Sequence, residues 1–86
     1  MQFEGAVIKE QGQVFGIVIV KPYVIQNQAE STQMRNFGIS AFGNMPIVLA
    51  CQNGQGRFTY NGRPDIVKFL ASISPSRIPW KRYTID

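Results

Sequence analysis

The last third of the chain combines positive charge with aromatic rings, which is the chemistry of a surface for single-stranded nucleic acid. Guanidinium and ammonium groups pair with phosphates, and aromatic rings stack on unpaired bases. These side chains occur in two short stretches, at residues 57–63 and 80–83. The candidate binding residues that this pattern predicts are Arg57, Phe58, Tyr60, Arg63, Trp80, Lys81, Arg82 and Tyr83.

A structural role for the same tail is the alternative, and we favour it. The segment from Trp80 to Ile85 is rich in residues that prefer strands. Two adjacent cations on an edge strand would protect the edge against aggregation. Tyr83 and Ile85, or Trp80, would then anchor this strand in the core. The sequence also lacks the RNP, KH and OB signatures of nucleic-acid-binding domains.

The formal net charge of +4 comes entirely from residues 57–86, which hold six of the nine Lys and Arg residues against two acids. Residues 1–56 balance three cations with three acids. This asymmetry is compatible with an acidic partner. A modest excess of one charge also keeps a small domain soluble, and we favour that simpler explanation.

The usual side chains of catalysis are missing from the sequence. It contains no histidine, which removes the commonest general base and the commonest metal ligand. With Cys51 as the single cysteine, it has neither a zinc site nor a Cys-x-x-Cys pair. The sequence therefore predicts no enzyme activity, no cofactor and no metal. The acids are too dispersed for a cluster of three. Glu4 and Glu10 lie on the first predicted strand, Glu30 on the first helix, Asp65 on the second helix and Asp86 at the end of the sequence.

Cys51 has two interpretations. Arg57, across a predicted hairpin, could lower the pKa of the thiol and make it reactive. Most free cysteines instead behave as small buried apolar residues, so we predict a buried Cys51.

Length and composition indicate one small globular domain. The 86 residues are 44% apolar and 16% charged. No apolar run approaches the roughly 18 residues of a membrane span. A lone cysteine favours a reducing setting, and residues 1–4 lack the pattern of a secretory signal. We therefore expect a cytoplasmic protein with no membrane partner.

Two strands are predicted at residues 2–9 and 14–25, the second interrupted near Pro22. Gln11 and Gly12 would form a two-residue hairpin loop between them. Both faces of the second strand are apolar, so two helices, or one helix and a second subunit, must cover it. The predicted pairs are Ile8 with Phe15, Val7 with Gly16, Ala6 with Ile17 and Gly5 with Val18.

Gly5 and Gly16 lie side by side in this register and allow close approach of another backbone. A second subunit or the last helix of the same chain would pack there, and we favour the last helix.

A first helix is predicted from an Asn27 cap to about Asn36, with Gly38 as its stop. Because the apolar content of this segment is low, a polar loop over residues 26–36 is the alternative. A second helix begins at Pro64 and ends before Pro75. Its apolar stripe consists of Ile66, Phe69, Leu70 and Ile73.

Residues 45–51 predict a buried central strand, and residues 57–60 predict a short antiparallel strand. The glycine-rich segment 53–56 joins two strands, so it predicts a hairpin turn and not a phosphate-binding loop. The fold class is therefore α+β, with a mixed sheet of four or five strands and two helices. The predicted order is strand, strand, helix, strand, strand, helix and an extended tail.

Between Ile17 and Ile73 this order has Pro46 before the third strand and Gly62 between the fourth strand and the last helix. In these respects it resembles the C-terminal half of thioredoxin-like domains. Since the redox cysteine pair is absent, the resemblance implies a mixed sheet and no activity.

The sequence thus predicts a small non-catalytic binding or assembly module. The expected partner is an unidentified protein or a second copy of the chain, because the helices provide little cover for the sheet. Single-stranded nucleic-acid binding is the alternative function.

Overall fold

A computed structural model, which describes residues 2–10 and 12–84, has a five-stranded mixed sheet with helices on both faces. The strand order is β4-β3-β2-β1-β5, with β2 and β3 parallel and the other neighbours antiparallel. The predicted α+β class is confirmed. The elements are β1 (Gln2–Glu10), β2 (Gln13–Ile19), α1 (Pro22–Gln26), α2 (Gln28–Phe42), β3 (Ile47–Gln52), β4 (Phe58–Asn61), α3 (Pro64–Ala71), a 3-10 turn (Pro75–Arg77) and β5 (Lys81–Thr84).

The β1–β2 hairpin has the predicted register, with Ile8 opposite Phe15 and Gly5 opposite Val18. Gly12 has a φ of 77°, which a residue with a side chain rarely adopts. Gln11, the other residue of the predicted loop, lies outside the described residues. The register places alternate side chains of both strands on opposite faces of the sheet.

Helix α3 covers one face of the sheet through its predicted apolar stripe. Ile66 and Leu70 are buried against this face, with Phe69 and Ile73 packed at the margin. Pro64 occupies the first turn of the helix, where its missing N–H costs no hydrogen bond. The sheet residues buried beneath α3 are Ala6, Phe15, Ile17, Val48 and Ala50.

Helices α1 and α2 cover the other face, where Val18 and Leu49 are fully buried. The prediction that the last helix packs over Gly5 and Gly16 is wrong, because Phe42 of α2 lies there. A Cβ on Gly16 would lie 2.6 Å from the Phe42 Cδ2 atom. Helices of the same chain therefore cover both faces of β2.

The second strand is shorter than predicted, because β2 ends at Ile19 and a helix begins at Pro22. Lys21 is still extended, with a ψ of 154°, and Pro22 then occupies the first helical position. Proline favours this position because its φ already suits a helix. The proline thus begins α1 instead of interrupting a strand that runs to residue 25.

Helix α2 begins at the predicted cap, where the Asn27 Oδ1 atom accepts a hydrogen bond from the Glu30 N–H at 3.1 Å. The predicted stop at Gly38 and the alternative of a loop are both wrong, since the helix continues to Phe42. Gly43, with a φ of 107°, ends it. Gly38 is buried within the helix, and a Cβ there would lie 2.9 Å from the Ile47 Cγ2 atom.

The two border strands of the sheet are β4 and β5. The tail is therefore an edge strand, as predicted, although β5 begins at Lys81. Its partner region on β1 extends only from Gln2 to Gly5. Across the described residues, no helix is both long and apolar enough to cross a membrane.

Candidate functional site

Strand β4 presents unpaired backbone groups along an open edge. The Asn53 N–H donates to the Arg57 carbonyl oxygen at 2.9 Å. This hydrogen bond shows which residues of β4 direct their backbone groups toward β3. Because an antiparallel ladder alternates, Thr59 also bonds to β3, and the N–H and C=O groups of Phe58 and Tyr60 point outward. Within residues 2–10 and 12–84, these outward groups have no other hydrogen-bond partner.

A groove of about 330 Å³ lies beside β4 on the α3 face. The rings of Phe58 and Tyr60 form its strand side, and Arg57 lies at one end. Residues from the end of α3 and the segment after it form the opposite side. These are Leu70, Ala71, Ile73 and Pro75.

The short connection between β4 and α3 positions the two sides of this groove. Gly62 passes close to β3, and a Cβ there would lie 3.0 Å from the Val48 Cγ2 atom. On the other face of the sheet, an Arg35 guanidinium nitrogen donates to the Asn61 side-chain oxygen. These contacts fix the end of β4, so the strand edge and the helix are held next to each other.

The Tyr60 hydroxyl is the least satisfied polar group beside this groove. Its oxygen is shielded from solvent and has no hydrogen-bond partner among the described residues. Burial raises the pKa of this phenol. A buried hydroxyl without a partner costs about 1–3 kcal/mol, and such groups are rare in folded proteins. One residue that lines the groove therefore carries an unmet hydrogen-bonding requirement.

Three aromatic rings form a row that ends at the groove. The Phe58 ring stacks on Trp80 with centroids 5.3 Å apart, and on Tyr60 with centroids 6.1 Å apart. The Trp80 Nε1–H donates to the Pro75 carbonyl oxygen at 3.0 Å. Trp80 is thus half-buried and held in one position, and it connects the tail to β4 on the α3 face of the sheet.

Arg63 is engaged by an acid next to it in the chain. Its Nε and Nη2 atoms donate to the two Asp65 carboxylate oxygens at 2.8 and 2.6 Å. These hydrogen bonds lower the pKa of Asp65 to about 2. The partner of Asp65 is therefore Arg63, two residues before it in the chain.

Three of the predicted tail residues, Lys81, Arg82 and Tyr83, lie away from the groove. Lys81 and Arg82 are exposed on β5, and an Arg82 guanidinium nitrogen lies 3.8 Å from a Glu4 carboxylate oxygen. Tyr83 faces the α2 side, where its ring stacks on Phe3 with centroids 5.3 Å apart. Of the eight candidate residues, the structure brings Arg57, Phe58, Tyr60 and Trp80 together and leaves the others at separate places.

Arg57 is the free cation of the groove. It is exposed, and no carboxylate of the described residues lies within 4 Å of its guanidinium. Its residue type made Arg57 a candidate from the sequence, whereas Ala71 and Pro75, which also line the groove, have no distinctive chemistry that the sequence could reveal. The one feature of the sequence that indicates a groove here is the short connection between the predicted fourth strand and the apolar last helix.

Other candidate chemistry receives little support from the geometry. Cys51 is buried, as predicted, and its opposite residue on β4 is Thr59. In the part of the chain that the structure describes, no three acidic or cysteine side chains are close enough to hold a metal ion.

Comparison with known proteins finds no match to a protein family, to a curated protein or to a solved structure. The resemblance to thioredoxin-like domains is therefore limited to the order of the elements from β2 to α3.

Proposed function

We propose that the protein is a small non-catalytic binding module that takes up an extended segment of a partner protein along β4. The added strand would pair with the outward N–H and C=O groups of Phe58 and Tyr60. Peptide-binding domains obtain affinity from such main-chain hydrogen bonds, and they obtain specificity from pockets for alternate side chains. The open edge and the adjacent groove of about 330 Å³ supply both requirements.

The unpaired Tyr60 hydroxyl carries this proposal. A ligand that brings a hydrogen-bond acceptor into the groove would satisfy a group that is otherwise buried at a cost. Because the hydroxyl is shielded from solvent, a shift of the Tyr60 side chain must accompany this contact, and the ring of this residue already lines the groove. Binding would then relieve an unfavourable feature of the free protein.

The groove also indicates the chemistry of the partner segment. Leu70 and Ile73 favour an apolar side chain opposite them. Arg57 favours a carboxylate at the hairpin end of the segment, because charge-assisted hydrogen bonds to a guanidinium are stronger than neutral ones. The expected ligand is an extended peptide with an apolar residue and an acidic residue. A cytoplasmic setting suits this proposal, as the single cysteine indicates.

Selection from a library of random linear peptides tests the proposal. We expect peptides with the apolar and acidic pattern, and calorimetry should give saturable binding of a synthetic copy. Ala71→Trp fills the groove at an exposed helix position and should weaken this binding at least tenfold. Lys68→Trp is the matched control on the solvent side of α3 and should bind as the unchanged protein does.

Failure to select any peptide, or equal affinity of the Ala71→Trp and Lys68→Trp variants, would contradict the proposal.

The row of Tyr60, Phe58 and Trp80 gives the nucleic-acid alternative its own support, because it combines rings with the nearby Arg57 cation. The ring faces inside the row are occupied by one another, however, which leaves little area for bases. Labelled oligothymidylate distinguishes the two functions. The alternative requires affinity that falls steeply with salt and falls again on Arg82→Ala.

A further inference from the structure

The outer edge of β1 is covered along only part of its length. β5 pairs with β1 up to the Gly5–Lys81 position, and Pro79 has no N–H with which to continue the ladder. The chain before β5 instead turns toward the α3 face, where the Trp80 N–H donates to the Ile78 carbonyl oxygen at 2.8 Å. Among the described residues, no strand therefore pairs with the outer side of residues 6–10 of β1.

The hydrogen bonds of β2 determine which groups on this free edge point outward. The N–H of Gly16 donates to the Pro46 carbonyl at 2.9 Å, and that of Val20 donates to the Ala50 carbonyl at 2.7 Å. Even-numbered residues of β2 therefore bond to β3, and odd-numbered residues bond to Ala6, Ile8 and Glu10 of β1. It follows that the N–H and C=O groups of Val7 and Lys9 point away from the sheet.

Apolar surface lies on both sides of this free edge. Val7 and Val14 are each 37% exposed and, by the hairpin register, lie on the α2 side. On the α3 side, a space of about 470 Å³ adjoins Ile8, Phe69 and Ile73, and the charged residues Lys9, Glu10 and Arg77 also line it. An open strand edge with apolar flanks is a ready template for a further strand.

We infer that the free half of β1 pairs with the same segment of a second copy of the chain, in an antiparallel arrangement around a two-fold axis. The axis would pass beside Ile8, so that Val7 of each copy lies opposite Lys9 of the other. All the outward N–H and C=O groups of both residues would then be paired. This inference is independent of the peptide proposed at β4.

The alternative two-fold registers are less favourable. Centring the axis on Lys9 would place two lysines directly opposite each other, which is destabilising. Centring it on Val7 would set Lys9 against Gly5, whose outward groups already bond to β5. In the register centred on Ile8, Val7 and Lys9 pair only with each other, and the two Ile8 side chains come together on the α3 side.

The surroundings also fit a second copy better than a highly charged partner. Lys9 and Glu10 balance each other within the free segment, so two copies do not repel one another there. The segment is short, and we therefore expect a weak dimer that forms as the concentration rises.

Two substitutions at the exposed Val7 position test the register by sedimentation equilibrium. Val7→Lys places like charges opposite each other at two symmetric positions and should weaken the dimer about tenfold. Val7→Glu places a carboxylate opposite Lys9 of the second copy at both positions. It should therefore tighten the dimer by a similar factor, and high salt should reduce this gain.

Thermal unfolding of the dilute monomers serves as the folding control, and Ala71→Trp should leave the dimer unchanged. A strict monomer for the unchanged chain up to about 1 mM, a range in which weak self-association is measurable, would overturn the inference. Equal dimer affinities for the Val7→Lys and Val7→Glu variants would overturn it as well. A dimer abolished by Ala71→Trp would locate the contact at β4 and exclude β1.

Discussion

The two border strands of the sheet differ in the charged side chains that they carry along their open edges. β5 carries Lys81 and Arg82 in its four residues, whereas β4 (Phe58–Asn61) carries no charged side chain. Charged residues on an edge strand discourage the pairing of another chain, because their desolvation is costly. The β5 edge is therefore protected, and the β4 edge is accessible to an added strand.

The aromatic anchors of the two borders lie on opposite faces of the sheet. Phe58 of β4 packs on the α3 side, stacked between Trp80 and Tyr60. Tyr83 of β5 packs on the α2 side against Phe3 and Phe42. The difference teaches that aromatic residues hold both borders in place, while a buried hydroxyl without a partner accompanies only the uncharged border within the described residues.

Removing the anchor of β4 should have the largest effect on stability. Phe58→Ala loses two stacking contacts of a half-buried ring and should lower the free energy of unfolding by about 2 kcal/mol. It should also shift the fluorescence of the single tryptophan to longer wavelength, because Trp80 loses its covering ring. Urea unfolding and emission spectra measure these effects.

Tyr83→Ala provides the matched comparison at β5. It should destabilise the protein similarly but leave the native emission of Trp80 unchanged, since Tyr83 lies on the other face. An equal spectral shift in both variants would contradict the separation of the two anchors.

Removing the unpaired hydroxyl should have a smaller effect of opposite sign. Tyr60→Phe deletes a buried polar group without a partner, so the free energy of unfolding should rise by about 1 kcal/mol. The same variant should bind the selected peptide more weakly, because the acceptor of the peptide loses its donor. Tyr83→Phe is the control, and neither quantity should change.

Removing the charges that protect the β5 edge should change the free energy of unfolding by less than about 0.5 kcal/mol. Lys81→Thr combined with Arg82→Thr removes the charges of β5, and we expect light scattering to increase with concentration. Lys68→Thr combined with Arg77→Thr removes the same net charge elsewhere and should not have this effect. Equal scattering of the two double variants would show that net charge, and not edge protection, matters.

The smallest expected effect is on the pKa of Asp65, and it follows from removing Arg63, the cation paired with this acid near the end of β4. Arg63→Gln should raise the pKa of Asp65 from about 2 toward its ordinary value of about 3.9. Since folding lowers this pKa, its stabilising contribution exists above the ordinary value and disappears as the pH falls through about 2. NMR titration of the Asp65 carboxyl measures the shift, and an unchanged pKa would show that Arg63 is not its partner.

Local rules predicted much of the sheet from the sequence. The loop at Gly12 and the apolar alternation determined the hairpin register, and the Asn27 cap determined where α2 begins. The errors arose where one residue type serves two purposes. Pro22 suits both a broken strand and a helix start, and Gly38 suits both a helix stop and a tight contact with β3.

The candidate site depends on contacts that no local pattern reveals. The Tyr60 hydroxyl is buried without a partner among the described residues because α3 packs against β4. The sequence does not reveal how close these two elements lie. In the part of the chain that the structure describes, half of β1 lacks a neighbouring strand on its outer side because the tail leaves the edge of the sheet at Pro79. Residue types thus predicted Arg57, Phe58 and Tyr60 as candidates, and their grouping required the tertiary structure.

Amide hydrogen exchange at β4 tests the central claim most directly. In the free protein, the amides of Phe58 and Tyr60 should exchange quickly, while those of Thr59 and Asn61, which bond to β3, should be protected. Saturation with a selected peptide should slow exchange at Phe58 and Tyr60 specifically. Unchanged exchange at these two amides under saturating peptide would contradict strand addition at β4.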